Sequence, residues 1–449
     1  MRNEKLEMNK MIKYVMSLLM VMTLCLPNMQ AQIVKNQGNQ DVLLNDANPE
    51  QDEEVVEDSD DSDVADSTMV ETIAANTLRL PWTETVKVGL DKLLKSKMFE
   101  TSQVGIMVWD LEADSCIYRF RERQLMRPAS TMKLVTAITA LDKLGGSYQF
   151  KTTLKYTGTI DNGVLKGDVY CIGGMDPRFN NDDMTAFVTS LKDMGVDSIQ
   201  GSIYADRSMK DEDLLGEGWC WDDDNPVLSP LVFGRKDIFM ERFLAKLKDA
   251  GIFYAGSGTS VKRCPASAFT ICTRFHTMDQ ILHKMMKDSD NLYAESMYYQ
   301  IASSTGNRPA SAKSARNVQR QLVRKIGLDP ARYKFADGSG LSLYNYVSAE
   351  LEVKLLRYAY QDENILPHLK QSLPIAGVDG TLKRRMRSGF AHGNVKAKTG
   401  TVTGVIGLAG YCKAANGHDL CFSILNNGIM HSNNARSFAD KVCELLCQP

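Results

Sequence analysis

Pro128-Ala129-Ser130-Thr131-Met132-Lys133-Leu134-Val135 is the stretch on which the reading of this chain turns. Apolar residues continue at Ala137, Ile138 and Leu141, a helical spacing, and Gly145-Gly146 stops the run. The pattern predicts a helix over 129–144 with Ser130 at its start. Lys133 lies one turn on, so the two side chains share a face. A serine hydroxyl at its free pKa is a poor nucleophile and needs a base within hydrogen-bond reach. A lysine of pKa about 10.4 is protonated at pH 7, and holding it neutral costs about 4.6 kcal/mol unless burial or a like charge lowers that figure. The helix start is positive and favours negative charge developing near Ser130. Alone the pair says little. Ser-x-x-Lys arises by chance about two or three times in a chain of this length, and an ordinary helix N-cap is the plainer reading of Ser130.

Two further motifs follow in order. Ser289-Asp290-Asn291 sits where one amphipathic helix (277–286) gives way to another (292–302). All three are good caps, and Asp290 is expected to cap the second helix. The functional reading makes Ser289 the proton relay between Lys133 and a leaving amine, with Asn291 hydrogen-bonding a substrate amide. Lys398-Thr399-Gly400-Thr401 reads as a strand of small residues able to lie beside an extended peptide. Gly400 permits close approach, and Lys398 and Thr399 can hold a carboxylate. The N–H groups of Thr401 and Ser130 can receive an oxyanion, each such donor being worth roughly 10²–10³ in rate. Lys398 is also a candidate for the like charge that keeps Lys133 neutral. Together the motifs supply the parts of acyl transfer without histidine.

Other chemistries lack their signatures. There is no Gly-x-Ser-x-Gly elbow, His-Glu-x-x-His or phosphate loop, and nothing resembles a nucleic-acid motif. The histidines (His276, His283, His368, His392, His418, His431) show no metal-ligand spacing and read as surface or structural. No metal or cofactor is implied.

The chain has 449 residues, 43% apolar, with a net charge of −2. Residues 41–66 hold twelve Asp/Glu and no Lys/Arg, which leaves the body behind them net positive. Lys10 and Lys13, a mostly apolar run from Tyr14 to Leu26, Pro27 and Ala31 read as a secretory signal peptide over 1–31. An acidic disordered tether is expected over 32–79. The mature chain is therefore expected outside the cytoplasm, with no membrane span after cleavage. Residues 104–109 and 116–120 read as a hairpin, and 396–400, 406–413 and 420–425 as later strands. One antiparallel sheet follows if the chain returns to its start. Residues 151–262 fall between the first and second motifs as an inserted β-rich accessory domain, leaving 80–150 and 263–449 as the catalytic domain.

Asn416-Gly417 is the strongest two-residue hairpin signal. Counting outward from it, Cys412 opposes Cys421 at a non-hydrogen-bonded site. A cross-strand disulfide is expected there; reduced, the two would pack as small hydrophobes. Nine cysteines remain after signal removal, so at least one stays unpaired.

Ser-x-x-Lys, Ser-x-Asn and Lys-Thr-Gly resemble the signature of penicillin-binding proteins and serine β-lactamases. The long gap from Ser130 to Ser289 narrows this. So do Gly167-Asp168-Val169-Tyr170, Gly173-Gly174-Met175-Asp176-Pro177, Gly218-Trp219, Asp337-Gly338-Ser339-Gly340-Leu341-Ser342 and Gly377-Val378-Asp379-Gly380-Thr381-Leu382. From about residue 80 to 445 the chain resembles class C low-molecular-mass penicillin-binding proteins, the D-Ala-D-Ala carboxypeptidase/endopeptidase family. The resemblance implies an α/β (α+β), β-lactamase/transpeptidase-like fold: a five-stranded antiparallel sheet flanked by helices, plus an α-helical lobe. It implies Ser130 as acylated nucleophile, Lys133 as its base, and Ser289, Asn291 and Lys398 completing the site. Peptidoglycan stem peptides would be the substrates and β-lactams covalent inhibitors. Larger members carry two accessory domains in the gap, whereas 151–262 suffices for one. The alternatives are a β-lactamase or esterase on the same scaffold, and a non-catalytic cell-wall-peptide binding protein.

Overall fold

A computed structural model describes residues 81–220, 225–256 and 258–449. The expected signal peptide and acidic tether lie outside the described residues.

The ordered chain begins with helix α1 (Trp82–Leu93), whose Val86, Gly89 and Leu90 are buried. Strands β1 (Gln103–Asp110) and β2 (Ser115–Phe120) form the expected hairpin. Asp110 tightens its turn by accepting from the amides of Glu112 and Ala113 at 3.1 and 2.9 Å. A 3-10 turn, Ala129–Thr131, leads into α2 (Met132–Leu144), which ends at Gly145 in the left-handed region. That conformation suits a glycine helix stop.

Next come β3 (Gln149–Tyr156), β4 (Thr159–Asp161), β5 (Val164–Lys166), β6 (Val169–Ile172), α3 (Asn181–Asp193), β7 (Ser198–Ile199), β8 (Ile203–Asp206), α4 (Phe239–Asp249), β9 (Phe253–Tyr254), β10 (Ser260–Val261) and β11 (Phe269–Thr277). They build two sheets, ordered β10-β8-β6-β3-β11 and β4-β5-β7-β9. This insertion is not simply β-rich. The β6–β8, β8–β10, β5–β7 and β7–β9 pairs are parallel, and parallel neighbours need crossovers. Helices α3 and α4 lie within those crossovers. Their Phe187, Leu191, Phe243 and Leu247 share one core with Leu154, Val169 and Ile203. Its sheet also reaches beyond 151–262, since β3 begins at Gln149 and pairs antiparallel with β11 to Thr277.

Helices α5 (Met278–Lys287), α6 (Asn291–Ser303), α7 (Ala312–Lys325), α8 (Ala349–Gln361) and α9 (Leu366–Ser372) follow. Side-chain caps fix several starts: a Thr277/Gln280 capping box for α5, Ser311 for α7 and Ser348 for α8. Strands β12 (Lys396–Val402), β13 (Val405–Lys413) and β14 (Asp419–Asn427) then return to the start, and α10 (Ser432–Cys447) closes the chain.

The main sheet has the order β12-β13-β14-β1-β2, antiparallel throughout. Its central strands are apolar on both faces because both are covered. Ile106, Val108, Leu408 and Phe422 pack with α1 and α10. Met107, Ala409 and Leu425 pack with α2, α5, α6 and α8.

The Cys412–Cys421 disulfide is overturned. In the β13–β14 register Tyr411 faces Cys421, and Cys412 faces Leu420. The turn is not two residues long. The Ala414 amide bonds to His418 O at 2.9 Å and Gly417 N to Ala414 O at 2.9 Å, with Gly417 at φ +89°. That is a three-residue loop closed by a left-handed glycine. One extra loop residue slips the register by one, which sends the two cysteines to opposite faces. Cys421 joins the core under the helical lobe and Cys412 the core under α10. All nine described cysteines are free.

Candidate active site

The three motifs converge. Lys133 is completely buried on the first turn of α2. Its Nζ stands 2.9 Å from Ser130 Oγ, 2.7 Å from Asn291 Oδ1 and 2.8 Å from Ser339 O. The last two are carbonyl oxygens and can only accept. A neutral amine has two N–H bonds, and those acceptors claim both. Its lone pair is then left for the Ser130 hydroxyl, the arrangement a general base requires.

Burial draws the Lys133 pKa down to about 8, against the pull of Asp337, Asp290 and Glu295. Lys398 is equally buried, and burial followed by the charge of Lys133 holds it well below the usual lysine value. Desolvation is the first cause of the shift in both lysines, and the two like charges oppose each other's protonation. Lys398 Nζ lies 2.9 Å from Ser289 Oγ and 2.8 Å from Thr399 O. Two lysine–serine pairs thus face each other across the site.

Backbone geometry aims both serines. Ala129, before Ser130, has φ +48°, and Ser289 itself has φ +61°. Left-handed conformations in residues with a Cβ are uncommon and concentrate at functional sites. Asp290 behaves as the sequence suggests, capping α6 through the Leu292 and Tyr293 amides at 2.9 and 3.4 Å. Its second oxygen accepts from Arg235 Nη1 of the inserted module at 2.9 Å.

β12 is the edge strand of the sheet and passes beside the serine turn. A Cβ on Gly400 would stand 2.6 Å from Pro128 O and 3.1 Å from Thr131 N. Thr401 is exposed at that edge, and Thr399 Oγ1 bonds Thr381 Oγ1 at 2.8 Å. Beyond Ala397, whose amide bonds Pro374 O at 3.0 Å, this edge offers ladder positions to an extended peptide.

Sequence reading assigned no role to the polar frame behind these groups. Asp337 gathers Trp219 Nε1 (2.8 Å), the amides of Gly340 (2.8 Å) and Ser342 (2.7 Å), and Asn345 Nδ2 (2.7 Å). Glu295, fully buried, accepts from the amides of Gly338 and Ser339 at 3.0 and 2.8 Å. Burial and the charge of Asp337 push its carboxyl up to about 8. Together they fix the turn that presents Ser339 O to Lys133. Gly340 sits at φ +84° with Ala129 O only 1.8 Å from where a Cβ would be, so no other residue fits. Glu352 of α8, also fully buried, lies 2.5 Å from Thr131 Oγ1 and 2.7 Å from Ser423 Oγ. Burial raises it to about 7. The one signal available in the sequence was the Asp337–Ser342 run itself.

The histidines stand apart from this network. His276, His368 and His418 instead pair with Asp176, Asp279 and Asp110 at 2.8, 2.6 and 2.8 Å.

A covered antiparallel sheet, with Ser-x-x-Lys on a helix start, Ser-x-Asn between helices and Lys-Thr-Gly on the edge strand, defines a low-molecular-mass penicillin-binding protein, a serine peptidase class. Within it, the chain belongs to the D-Ala-D-Ala carboxypeptidase 3 (S13) family, whose model matches residues 86–233 and 231–448. It is 26% identical to D-alanyl-D-alanine carboxypeptidase DacB of Haemophilus influenzae over 75% of this chain and 87% of that protein. It is 27% identical to the D-alanyl-D-alanine carboxypeptidase of Actinomadura sp. strain R39 over 78% and 82%. The crystal structure of penicillin binding protein 4 (dacB) from Haemophilus influenzae superposes with a TM-score of 0.72 at 24% identity, over 79% of this chain and 97% of that one. The same protein complexed with a β-lactam gives 0.68 at 25% identity, over 80% and 100%.

Proposed function

We propose that this protein is a serine-type DD-peptidase that cuts D-Ala-D-Ala ends, and cross-links between stem peptides, through an acyl-enzyme on Ser130. The observation that carries the reading is the coordination of Lys133 Nζ, with Asn291 Oδ1 and Ser339 O accepting its two N–H bonds and Ser130 Oγ at 2.9 Å facing the remaining position. Ser130 Oγ attacks the penultimate D-Ala carbonyl while Lys133 takes the hydroxyl proton. The Ser130 and Thr401 amides receive the oxyanion. Ser289, hydrogen-bonded to Lys398, relays a proton to the leaving amine, and the C–N bond breaks. Water then hydrolyses the ester and frees Ser130. Lys398 and Thr399 hold the substrate carboxylate, Asn291 its amide, and Gly400 lets the peptide lie close to β12.

The covalent β-lactam adduct expected on Ser130 is the same chemistry, and a related protein of this fold has been crystallised with a β-lactam. Peptidase rather than β-lactamase is favoured by the glutamates around the site. Glu295 is taken up by two backbone amides and Glu352 by two hydroxyls, both fully buried, so neither is placed to activate a deacylating water. A non-catalytic binding role would leave two desolvated lysines without a purpose. The leader reading places the enzyme in the periplasm, with a signal peptide over 1–31 and a tether over 32–79; among the described residues no helix is long and apolar enough to cross a membrane.

Labelled penicillin followed by mass mapping tests this. The label is expected on Ser130, persisting for minutes or longer, and Ser130→Ala should release no D-alanine. Fast turnover of the adduct would favour the β-lactamase, and D-alanine release by Ser130→Ala would refute the mechanism. Digestion of cross-linked muropeptides beside pentapeptides separates endopeptidase from carboxypeptidase action.

A further inference from the structure

A second polar cleft, of about 370 Å³, opens where the inserted module meets the helical lobe. That volume falls within the range of ligand sites. One wall is β3, whose alternation turns Phe150, Thr152 and Leu154 inward and Lys151, Thr153 and Lys155 toward the cleft. Arg263 lines the second wall. Arg308 and Gln300, from the end of α6 and the loop beyond it, line the third.

Four cations therefore meet at one concavity: Lys151, Lys155, Arg263 and Arg308. None of their side chains makes a hydrogen bond, ion pair or ring contact with another described residue. The lone carboxylate lining the cleft, Asp206, is already occupied by the amides of Ser208 and Cys264 at 2.9 and 2.8 Å. Several cations elsewhere on the same module sit on acids: Lys166 on Asp161 at 2.7 Å, Arg207 on Asp237 at 2.8 Å, Arg274 on Asp183 at 2.7 Å. An ordinary solvated face mixes signs in that way. Four unpaired like charges in a concave wall repel one another and raise the local positive potential, a cost that an anionic ligand removes.

We propose that this cleft is a docking subsite for the carboxylates of a peptidoglycan stem peptide other than the end being cut. The inference rests on the proposed function for the identity of the ligand. Gln300 lies nine residues beyond Asn291 on α6, about 14 Å along the axis at 1.5 Å per residue. An extended peptide spans that in about four residues. The cleft is thus separate from the scissile site yet within one stem's length of it. Its effect is retention on polymeric substrate, not chemistry on a short one.

The test is co-sedimentation of full-length Ser130→Ala protein with insoluble peptidoglycan. Adding Lys155→Glu and Arg263→Glu should weaken retention about tenfold or more and abolish its sensitivity to salt. Amidating the peptidoglycan carboxyls should weaken retention of the parent to the same degree. With Ser130 intact, the double variant should still hydrolyse a short soluble D-Ala-D-Ala peptide and take up labelled penicillin as the parent does. Unchanged sedimentation of the double variant overturns the proposal. So does retention that survives amidation but yields to inorganic polyphosphate, which would make the ligand a phosphate. A parallel loss of short-peptide turnover also overturns it, because the residues would then serve the fold or the catalytic site. Failure of the parent on the short peptide refutes the proposed function separately, since sedimentation does not depend on turnover.

Discussion

Arg235 of the inserted module donates to the carboxylate of Asp290 at 2.9 Å, and Asp290 is the residue between Ser289 and Asn291. A loop from outside the catalytic sheet thereby grips the turn that carries two of the site's polar groups. Trp219 reaches in from the same insertion to Asp337. Arg235 is 40% exposed and Asp290 10%, so the pair is worth at most about 1 kcal/mol.

Arg235→Ala should accordingly lower kcat/KM on a D-Ala-D-Ala peptide by about fivefold or less, with little change in Tm. Steady-state kinetics beside calorimetry check this. An unchanged kcat/KM would show that the Asp290 cap holds the turn without help.

On the proposed mechanism, the Lys133 pKa of about 8 sets the acidic limb of acylation. Acylation needs the neutral amine, so penicillin acylation should rise through about pH 8. The Asp290 carboxylate favours the charged lysine. Asp290→Asn keeps a capping side chain but loses that charge, and should move the limb to lower pH. Stopped-flow acylation across pH 6–10 reads the shift; a move to higher pH would mean that Asp290 does not act through its charge.

Glu352 predicts a pH-dependent stability. Its carboxyl is raised in the folded state to about 7. A raised acid contributes fully below the unfolded value, about 4.3, and that contribution is lost as pH rises through about 7. Glu352→Gln cannot ionise. Relative to the variant, the parent should lose about 1.4 kcal/mol per unit between those values and then level off. Denaturant titrations at pH 5, 6, 7 and 8 measure it. Parallel curves would mean that Glu352 stays ionised in the fold.

Cys412 and Cys421 lie on opposite faces of the main sheet. Both should react with iodoacetamide once the protein is unfolded in the absence of reductant. Peptide mapping that finds them joined would restore the two-residue turn and reverse the register.

Much of the fold was legible because it is written in local patterns. The 129–144 helix follows from apolar spacing and its glycine stop. The first hairpin and the three late strands follow from β-rich runs between turn residues, and Ser289-Asp290-Asn291 from its place between two helical runs, although the second of them is buried nearly all round rather than amphipathic. The misread hairpin shows where such patterns end. Asn416-Gly417 marks a turn but does not count the residues in it, and one residue reverses which face every side chain takes. The parallel, helix-containing make-up of the insertion was not legible for a related reason. Short parallel strands such as Ser198–Ile199 owe their existence to neighbours supplied by distant chain, here Val164–Lys166 and Phe253–Tyr254.

The sequence by itself determined the reagents of this site: two serines, two lysines and an asparagine, in an order and setting that admit acyl transfer. It could not determine their protonation. Only the tertiary structure buries Lys133 and Lys398 completely, brings Asn291 and Ser339, 158 and 206 residues away, onto one amine, and sets Glu295 and Asp337 behind them. The physical reason is that residue identity fixes a group's intrinsic acidity. Desolvation and neighbouring charge shift it, and both arise only when distant segments pack.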